Sequence, residues 1–351
     1  MRRVIAVTKA YIVVLLCALV VVTWALVLGS RPVSSDPTPV RVLIARGTPA
    51  SGIATVLKDQ GLIRSPFVFS LTCVVSGMSD KLKPGVYEFR HTMSVPQIIS
   101  ALVAGESLEQ WVTIPEGFTV RQIADLLQEK QLADGYAVLR LALEQGYSFP
   151  RYAFIHSRSL EGYLFPDSYL VARGTSPEGI LDRLLATFEA KVVKPHRARI
   201  ERVCASRFGL GEDRFALGLH RIVTLASMVE REAKTASDRP LVAAVLWNRL
   251  KKGMKLEVDA TVTYAPGEST QNKARIYYKD LESESPYNTY KHFGLPPGPI
   301  CNPGLASIEA VLEPANADYL YYVARKDGSH IFSRTFEEHR AASDAVRAQE
   351  R

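Results

Sequence analysis

Glu230 is the residue whose placement carries the most chemistry. In the stretch LHRIVTLASMVEREAK, Leu219, Ile222, Val223, Ala226, Val229 and Ala233 fall on one stripe of a helix turning about 100° per residue, and Glu230 falls inside it. Glu232 points away from that stripe. A helix of this pattern buries its apolar face, so the Glu230 carboxyl turns inward with it unless the face borders a cleft. Burial without a partner raises a carboxyl pKa until the group holds its proton. A proton-bearing glutamate on a rigid helix is a general acid at neutral pH. The competing reading is structural, with Glu230 paired to a buried Arg or Lys or turned to solvent at the helix edge.

Little else suggests metal or nucleophile chemistry. The seven histidines are scattered, and Cys73, Cys204 and Cys301 lack the spacing of a metal site, so neither a metal nor a cofactor is expected. Cys17 lies in an apolar run, and pairing among the other three cysteines stays open. Tyrosines crowd the later part of the chain (Tyr264, Tyr277, Tyr278, Tyr287, Tyr290, Tyr319, Tyr321 and Tyr322). Aromatic faces with hydroxyls suit a glycan, although strands also favour tyrosine. Glu161 and Asp167, in SLEGYLFPDSYLVAR, read as parts of a turn, with Asp167 accepting backbone amides after Pro166.

The elements that must position Glu230 follow from the punctuation around it. A second helix begins at Ser237 or Asp238 as N-cap, with Pro240 in its first turn, and runs to Lys252. The short link makes the two a hairpin, which either brings Asn248 and Arg249 near Glu230 or leaves Arg249 exposed. Upstream, residues 176–207 read as helix with a break near Pro195, and their basic face reads as a solvated surface. Downstream, LEVDATVTY alternates like a strand. SPYNTY (285–290) and GLPPGPICNPG (294–304) are too rich in proline and glycine for helix or strand interior, and form a rigid site wall or a connector. Residues 319–323 read as a central strand paired to 330–332 across Lys326, Asp327 and Gly328, and 335–351 as a closing polar helix.

The amino-terminal part has a different character. Residues 11–29 form an uncharged run, YIVVLLCALVVVTWALVLG, close to the roughly twenty residues a spanning helix needs. Arg2, Arg3 and Lys9 precede it, which predicts a cytoplasmic tail (1–10) and an extracytoplasmic remainder. Residues 30–39 then read as a stiff polar linker. Because three of the basic residues behind the net charge of +7 precede the run, the excess on everything after it is small, which argues against nucleic acid.

The length of 351 residues suggests two or three domains, and an internal repeat shows how they are built. At an offset of 70, Val42 matches Val112, Gly47 matches Gly117, Ile53 matches Ile123, Leu57 matches Leu127 and Leu62 matches Leu132. Tyr87, Ser94, Ile98 and Leu102 then match Tyr169, Ser176, Ile180 and Leu184. Each copy reads strand, glycine turn, helix, helix, strand, helix. The first copy, residues 40–106, resembles the LysM fold that binds N-acetylated glycans. The second, 110–185, reads as a half-repeat merged into a following domain of residues 107–345. The fold class expected is α+β: one transmembrane helix, a β-α-α-β module, and a mixed catalytic domain.

The segments EGYLFPDSY (161–169), LASMVERE (225–232), VAAVLWNRLKKGMKLEVDATVTY (242–264), SPYNTY, GLPPGPICNPG and YLYYVARKDGSHIFSRTFEEH (319–339) resemble, in order, the membrane-anchored endolytic murein transglycosylases of the MltG (YceG-like) type. Met228 and Ala233 depart from that pattern. The resemblance implies that Glu230 is the catalytic glutamate and that Asn288, Tyr290, Tyr287 and Asp259 line sugar subsites. It implies cleavage of the β-1,4 bond between N-acetylmuramic acid and N-acetylglucosamine in nascent strands, ending elongation, with no cofactor. One carboxyl then suffices where ordinary glycosidases use two. Glu230 protonates the leaving oxygen, then takes the proton of the muramic C6 hydroxyl as a 1,6-anhydro ring closes. The partners implied are peptidoglycan strands, the bacterial inner membrane and peptidoglycan synthases. Two alternatives stand beside this: a non-catalytic peptidoglycan-binding tether, and a water-using muramidase with Asp259 as second carboxylate.

Overall fold

The computed structural model describes residue 24 and residues 28–105, 109–172, 174–264 and 278–349. It forms two compact units, residues 1–112 with 169–173, and residues 113–168 with 174–351.

The first unit begins with strand β1 (Pro39–Ile44), helices α1 (Ala50–Asp59) and α2 (Pro66–Val75), strand β2 (Gly85–Arg90) and helix α3 (Val95–Ala104). The boundaries follow from side-chain chemistry. Ser65 Oγ accepts the Val68 amide ahead of a helix that opens on Pro66, and Ser94 and Gln97 form a reciprocal capping box. Gly105, in the left-handed region at φ 75°, ends α3. β1 pairs antiparallel with β2, Val42 opposite Tyr87, and the inward residues Val42, Ile44, Ile53, Leu57, Tyr87 and Ile98 form the core. The chain ahead of β1 is pinned: Val33 and Ser34 donate to the His91 carbonyl, and Arg64 Nη2 donates to the carbonyls of Pro32 and Val33. Part of the expected linker is therefore fastened down.

The repeat shows as a duplication of helices. α4 (Val120–Glu129) and α5 (Gly135–Glu144) repeat the lengths and order of α1 and α2. Strands β3 (Glu109–Thr113) and β4 (Ser168–Ala172) join β1 and β2 in one sheet of order β1-β2-β3-β4, while α4 and α5 belong to the second unit. Most of the apolar run, the tail before it, Cys17 and Tyr277 lie outside the described residues. Among the described residues no helix is long and apolar enough to cross a membrane.

The second unit continues with α6 (Pro177–Phe188), which passes through a π turn, Glu189–Val193, into α7 (Lys194–Phe208). The turn widens just before Pro195, whose ring nitrogen has no hydrogen to offer the preceding turn. α8 (Phe215–Glu232) packs against α7, α9 (Arg239–Lys251) and α11 (Leu305–Leu312). The expected strand over 256–264 is instead an irregular piece, with Glu257 in the left-handed region at φ 54°, followed by the short helix α10 (Asp259–Thr263). Glu257 and Val258 donate their amides to Thr289, so this segment is spent on the 285–290 loop and not on a sheet. Among the described residues β5 (Tyr321–Ala324) and β6 (His330–Ser333) pair only with each other, Val323 opposite Ile331, so the expected central strand lies in a hairpin. α12 (Phe336–Gln349) closes the unit, giving a mixed α+β architecture.

Candidate active site

Residues Ile222 to Val229 of α8 are buried in succession, and the stripe ends on Glu230, whose side chain is 8% exposed. Its Oε2 accepts the Ser307 hydroxyl at 2.7 Å and the Gly304 amide at 3.0 Å. Arg239 Nη2, from the start of α9, stands 3.8 Å from Oε1, beyond hydrogen-bonding reach. The ion-pair reading is thus met only in part, because neutral donors supply the hydrogen bonds and the cation supplies a field. Among the described residues Arg239 Nε is itself buried without a hydrogen-bond partner.

Gly304 reaches Glu230 because the proline-rich loop is riveted to α8. Pro297 takes its carbonyl to His220 Nε2 at 3.0 Å, and the other ring nitrogen meets Tyr163 Oη at 3.0 Å. The Ile300 amide donates to Ser227 Oγ, and the Cys301 thiol reaches the Ser227 carbonyl. Asn302 is fully buried: its Oδ1 accepts the amides of Gly162 and Leu164, and its Nδ2 donates to the Phe118 carbonyl and to Glu161 Oε1. The loop is the rigid wall of the two readings the sequence leaves open.

The same rivets fix the turn after β3. Gly117, at φ 75°, donates its amide to the Asn302 carbonyl, and the Asn302 amide donates to the Phe118 carbonyl. Glu116 is thereby held beside Gly304, so closely that a Cβ on Gly304 would lie 2.0 Å from Glu116 Oε1. Glu116 is exposed, yet its pKa is raised, first by partial desolvation and then by the Glu230 charge, with Arg239 pulling the other way.

Glu232, set away from the stripe by the spacing, has a partner of its own there. It is half-buried, and its Oε2 accepts the Tyr322 hydroxyl at 3.1 Å. Burial, and then the Asp259 charge, push it up to about 7 against that hydrogen bond and one from the Ala260 amide. Asp259 in turn accepts the Tyr290 hydroxyl at 2.5 Å. The last turn of α8 therefore carries two acids with separate surroundings: Glu230 with Gly304, Ser307, Arg239 and Glu116, and Glu232 with Tyr322 and the Asp259–Tyr290 pair.

The remaining expected residues divide. Tyr287 packs edge-on against Tyr264 at 4.8 Å between ring centres. Asn288 is fully buried, donating to the carbonyls of Leu281 and Ser283 and accepting the Tyr290 amide. In this conformation it shapes the loop and offers nothing to a ligand. Asn248 donates to the carbonyls of Ala317 and Tyr319, and buried Arg249 donates to those of Leu320, Lys255 and Leu256, so Arg239 is the basic residue at Glu230. Glu161 is buried, and burial pushes it up to about 8 against hydrogen bonds from Tyr264, Val120 and Asn302, which make it a structural knot. Asp167 accepts the Ser168 amide, as its turn requires, and pairs with Lys191 at 2.6 Å. Cys73, Cys204 and Cys301 are buried free thiols.

Comparison with known proteins places this geometry in a wider set. The model of the YceG-like family matches residues 42–345. An endolytic murein transglycosylase of Bacillus subtilis (strain 168) is 34% identical over 329 residues, 90% of this chain and 87% of that protein. An endolytic murein transglycosylase of Streptococcus pneumoniae serotype 2 is 30% identical over 333 residues, 86% of this chain and 57% of the longer relative. The crystal structure of a YceG-like protein from Listeria monocytogenes superposes with a TM-score of 0.61 at 34% identity, covering 86% of this chain and 98% of that one.

Proposed function

The chain belongs to the YceG-like family, and we propose that it is an endolytic murein transglycosylase, a lyase acting on peptidoglycan strands with Glu230 as its proton donor. The observation that carries the assignment to Glu230 is its setting. The carboxyl closes the buried stripe of α8, and one oxygen is fixed by Gly304 and Ser307. Arg239 stands at 3.8 Å, where it stabilises the ionised form left after proton transfer. A carboxyl held this rigidly is preorganised for transfer to a glycosidic oxygen.

In the reaction proposed, Glu230 gives its proton to the oxygen linking muramic acid C1 to the next sugar as that bond breaks. The C6 hydroxyl of the same muramic residue then attacks C1 and closes a 1,6-anhydro ring, its proton passing back to the ionised Glu230, with no water consumed. Asp259 and Tyr290, joined at 2.5 Å, and the half-buried Tyr287 are the expected subsite residues that remain accessible enough to meet a sugar. The water-using alternative loses ground, because Asp259 is engaged with Tyr290 and lies in the surroundings of Glu232.

The rest of the proposal concerns placement. Residues 11–29 anchor the chain in the cytoplasmic membrane with the amino terminus inside, and the β-α-α-β module of the first unit, LysM-like in element order, grips N-acetylated glycan. Synthases that extend the strand are the partners such an enzyme would follow.

The test is digestion of un-crosslinked glycan strands by the full chain in detergent, with the fragments weighed. Anhydro ends are expected, and Glu230→Gln should bind strands but yield none. Reducing ends one water heavier would make the enzyme a hydrolase, and retention of strands without cleavage would leave a tether.

A further inference from the structure

We propose that the outer face of α2 lies on the lipid surface, so that the first unit is docked on the membrane its chain emerges from and does not hang from it on a free tether; this rests on the reading of residues 11–29 as an anchor. α2 is a surface helix without a polar face. From Ser65 to Ser79 the chain carries no charged residue. Val68, Phe69 and Cys73 turn into the core. On the other side Phe67 is 71%, Val74 67% and Val75 80% exposed, with half-buried Leu71 among them. Phe67, Leu71 and Val74 follow one line of the helix at spacings of four and three, and Val75 lies beside it. Thr72 Oγ1 is turned back onto the Val68 carbonyl at 2.7 Å. An apolar surface where a solvated face is the rule marks an interaction site.

The duplicated helix supplies the contrast. At the offset of 70 that relates the copies, Val68 and Phe69 answer to Val138 and Leu139 of α5, and all four are buried. Ser70, Val74 and Val75 answer to Arg140, Glu144 and Gln145. Arg140 and Glu144 are exposed, so the same element has an ordinary solvated face in the second copy. Packing of the core therefore does not require the apolar residues on the outside of α2.

What covers that face follows from where the apolar run ends. Its last residue, Gly29, packs on α2 itself, so closely that a Cβ there would lie 2.8 Å from Val68 Cγ2. The chain is then pinned beside the start of the helix, where Arg64 Nη2 holds the carbonyls of Pro32 and Val33. The end of α2 that presents Phe67 is thus the end at which the anchor leaves the bilayer. Trp24 is 68% exposed, and tryptophan at the end of a spanning run sits at headgroup level. Arg31 and Arg64, both exposed, supply the cations that an interfacial helix sets against lipid phosphates while its apolar face enters the acyl boundary.

The experiment uses the full chain reconstituted in vesicles of phosphatidylethanolamine and phosphatidylglycerol, with and without lipids brominated near the headgroup. An indole is added by Phe67→Trp, with Tyr136→Trp, exposed on α5, as control, and the emission of native Trp24, Trp111 and Trp247 is subtracted with wild type. The indole at 67 is expected to lose most of its emission to the bromines and to be shielded from aqueous acrylamide, and the one at 136 to do the reverse. Adding Ser70→Arg, Val74→Glu and Val75→Gln, the residues of the second copy, should restore the emission with Tm held. Equal acrylamide quenching at 67 and 136 would overturn the proposal, as would bromine quenching that survives the triple change. Shielding at 67 without bromine quenching would overturn it too, because protein would then cover the face. Failure of wild type to stay with the vesicles through an alkaline wash would instead remove the anchor reading beneath it.

Discussion

The Ser307 hydroxyl lies 2.7 Å from Glu230 Oε2 and comes from a fully buried position on α11. A neutral donor of this kind orients the carboxyl without cancelling its charge. Hydrogen bonds to charged groups contribute about 1.5 to 3 kcal/mol. If that stabilisation is realised mainly while Glu230 is ionised, Ser307→Ala lowers kcat by roughly 10- to 100-fold and leaves KM nearly unchanged. Steady-state kinetics on glycan strands would check this; a change confined to KM would place Ser307 in substrate binding.

Glu116 reports on its two charged neighbours with opposite signs. The Glu230 charge raises its pKa and Arg239 lowers it. Its carboxyl titration, followed by carbon-13 resonance, should therefore move down in Glu230→Gln and up in Arg239→Met. Movement in the same direction in both variants would mean that the three groups do not share one field.

Glu232 gives the fold a pH dependence of definite sign. Its folded pKa of about 7 lies above the ordinary 4.5, so between those values the native state binds more protons than the unfolded chain. Stability is fully present below about 4.5 and declines as pH rises through the window, at up to about 1.4 kcal/mol per pH unit. Glu161, pushed up to about 8, acts in the same direction. The expected result is that Tm falls from about pH 5 to about pH 7.5, and that Glu232→Gln falls less. Parallel curves from calorimetry would show that Glu232 titrates normally.

Asn302 should be the costliest single polar change in the second unit. Its side chain makes four hydrogen bonds while fully buried. Asn302→Ala leaves their partners unmet, each at about 1 to 3 kcal/mol, and frees the turn bearing Glu116. A drop in unfolding free energy of roughly 3 kcal/mol or more is expected in denaturant titration, with activity lost in parallel.

Helical spacing alone singled out Glu230, because the stripe of α8 is long and regular. The order of elements in the repeat was legible for the same reason, since α1 and α4 carry the same apolar spacing. The failures have a common cause. Strand-like alternation in LEVDATVTY could not reveal that Thr289 would claim the amides of Glu257 and Val258. Spacing set Glu232 outward, where Tyr322 arrives from a distant hairpin to cover it. Asn288 resembles a ligand-binding residue by motif, yet its own loop absorbs its amide. Glu116 did leave a trace: the matched glycines Gly47 and Gly117 are preceded by Arg46 in one copy and by Glu116 in the other, so the duplicated turn carries opposite charge in its two copies.

Because the Glu116 carboxyl takes the volume beside Gly304, the two positions cannot drift independently. A lineage that gained even a methyl at 304 would have to surrender the acid at 116 or pull its turn away, and with that the hold on Asn302. Among descendants of this chain, the two sites should be inherited as one character: glycine with the acid, or neither.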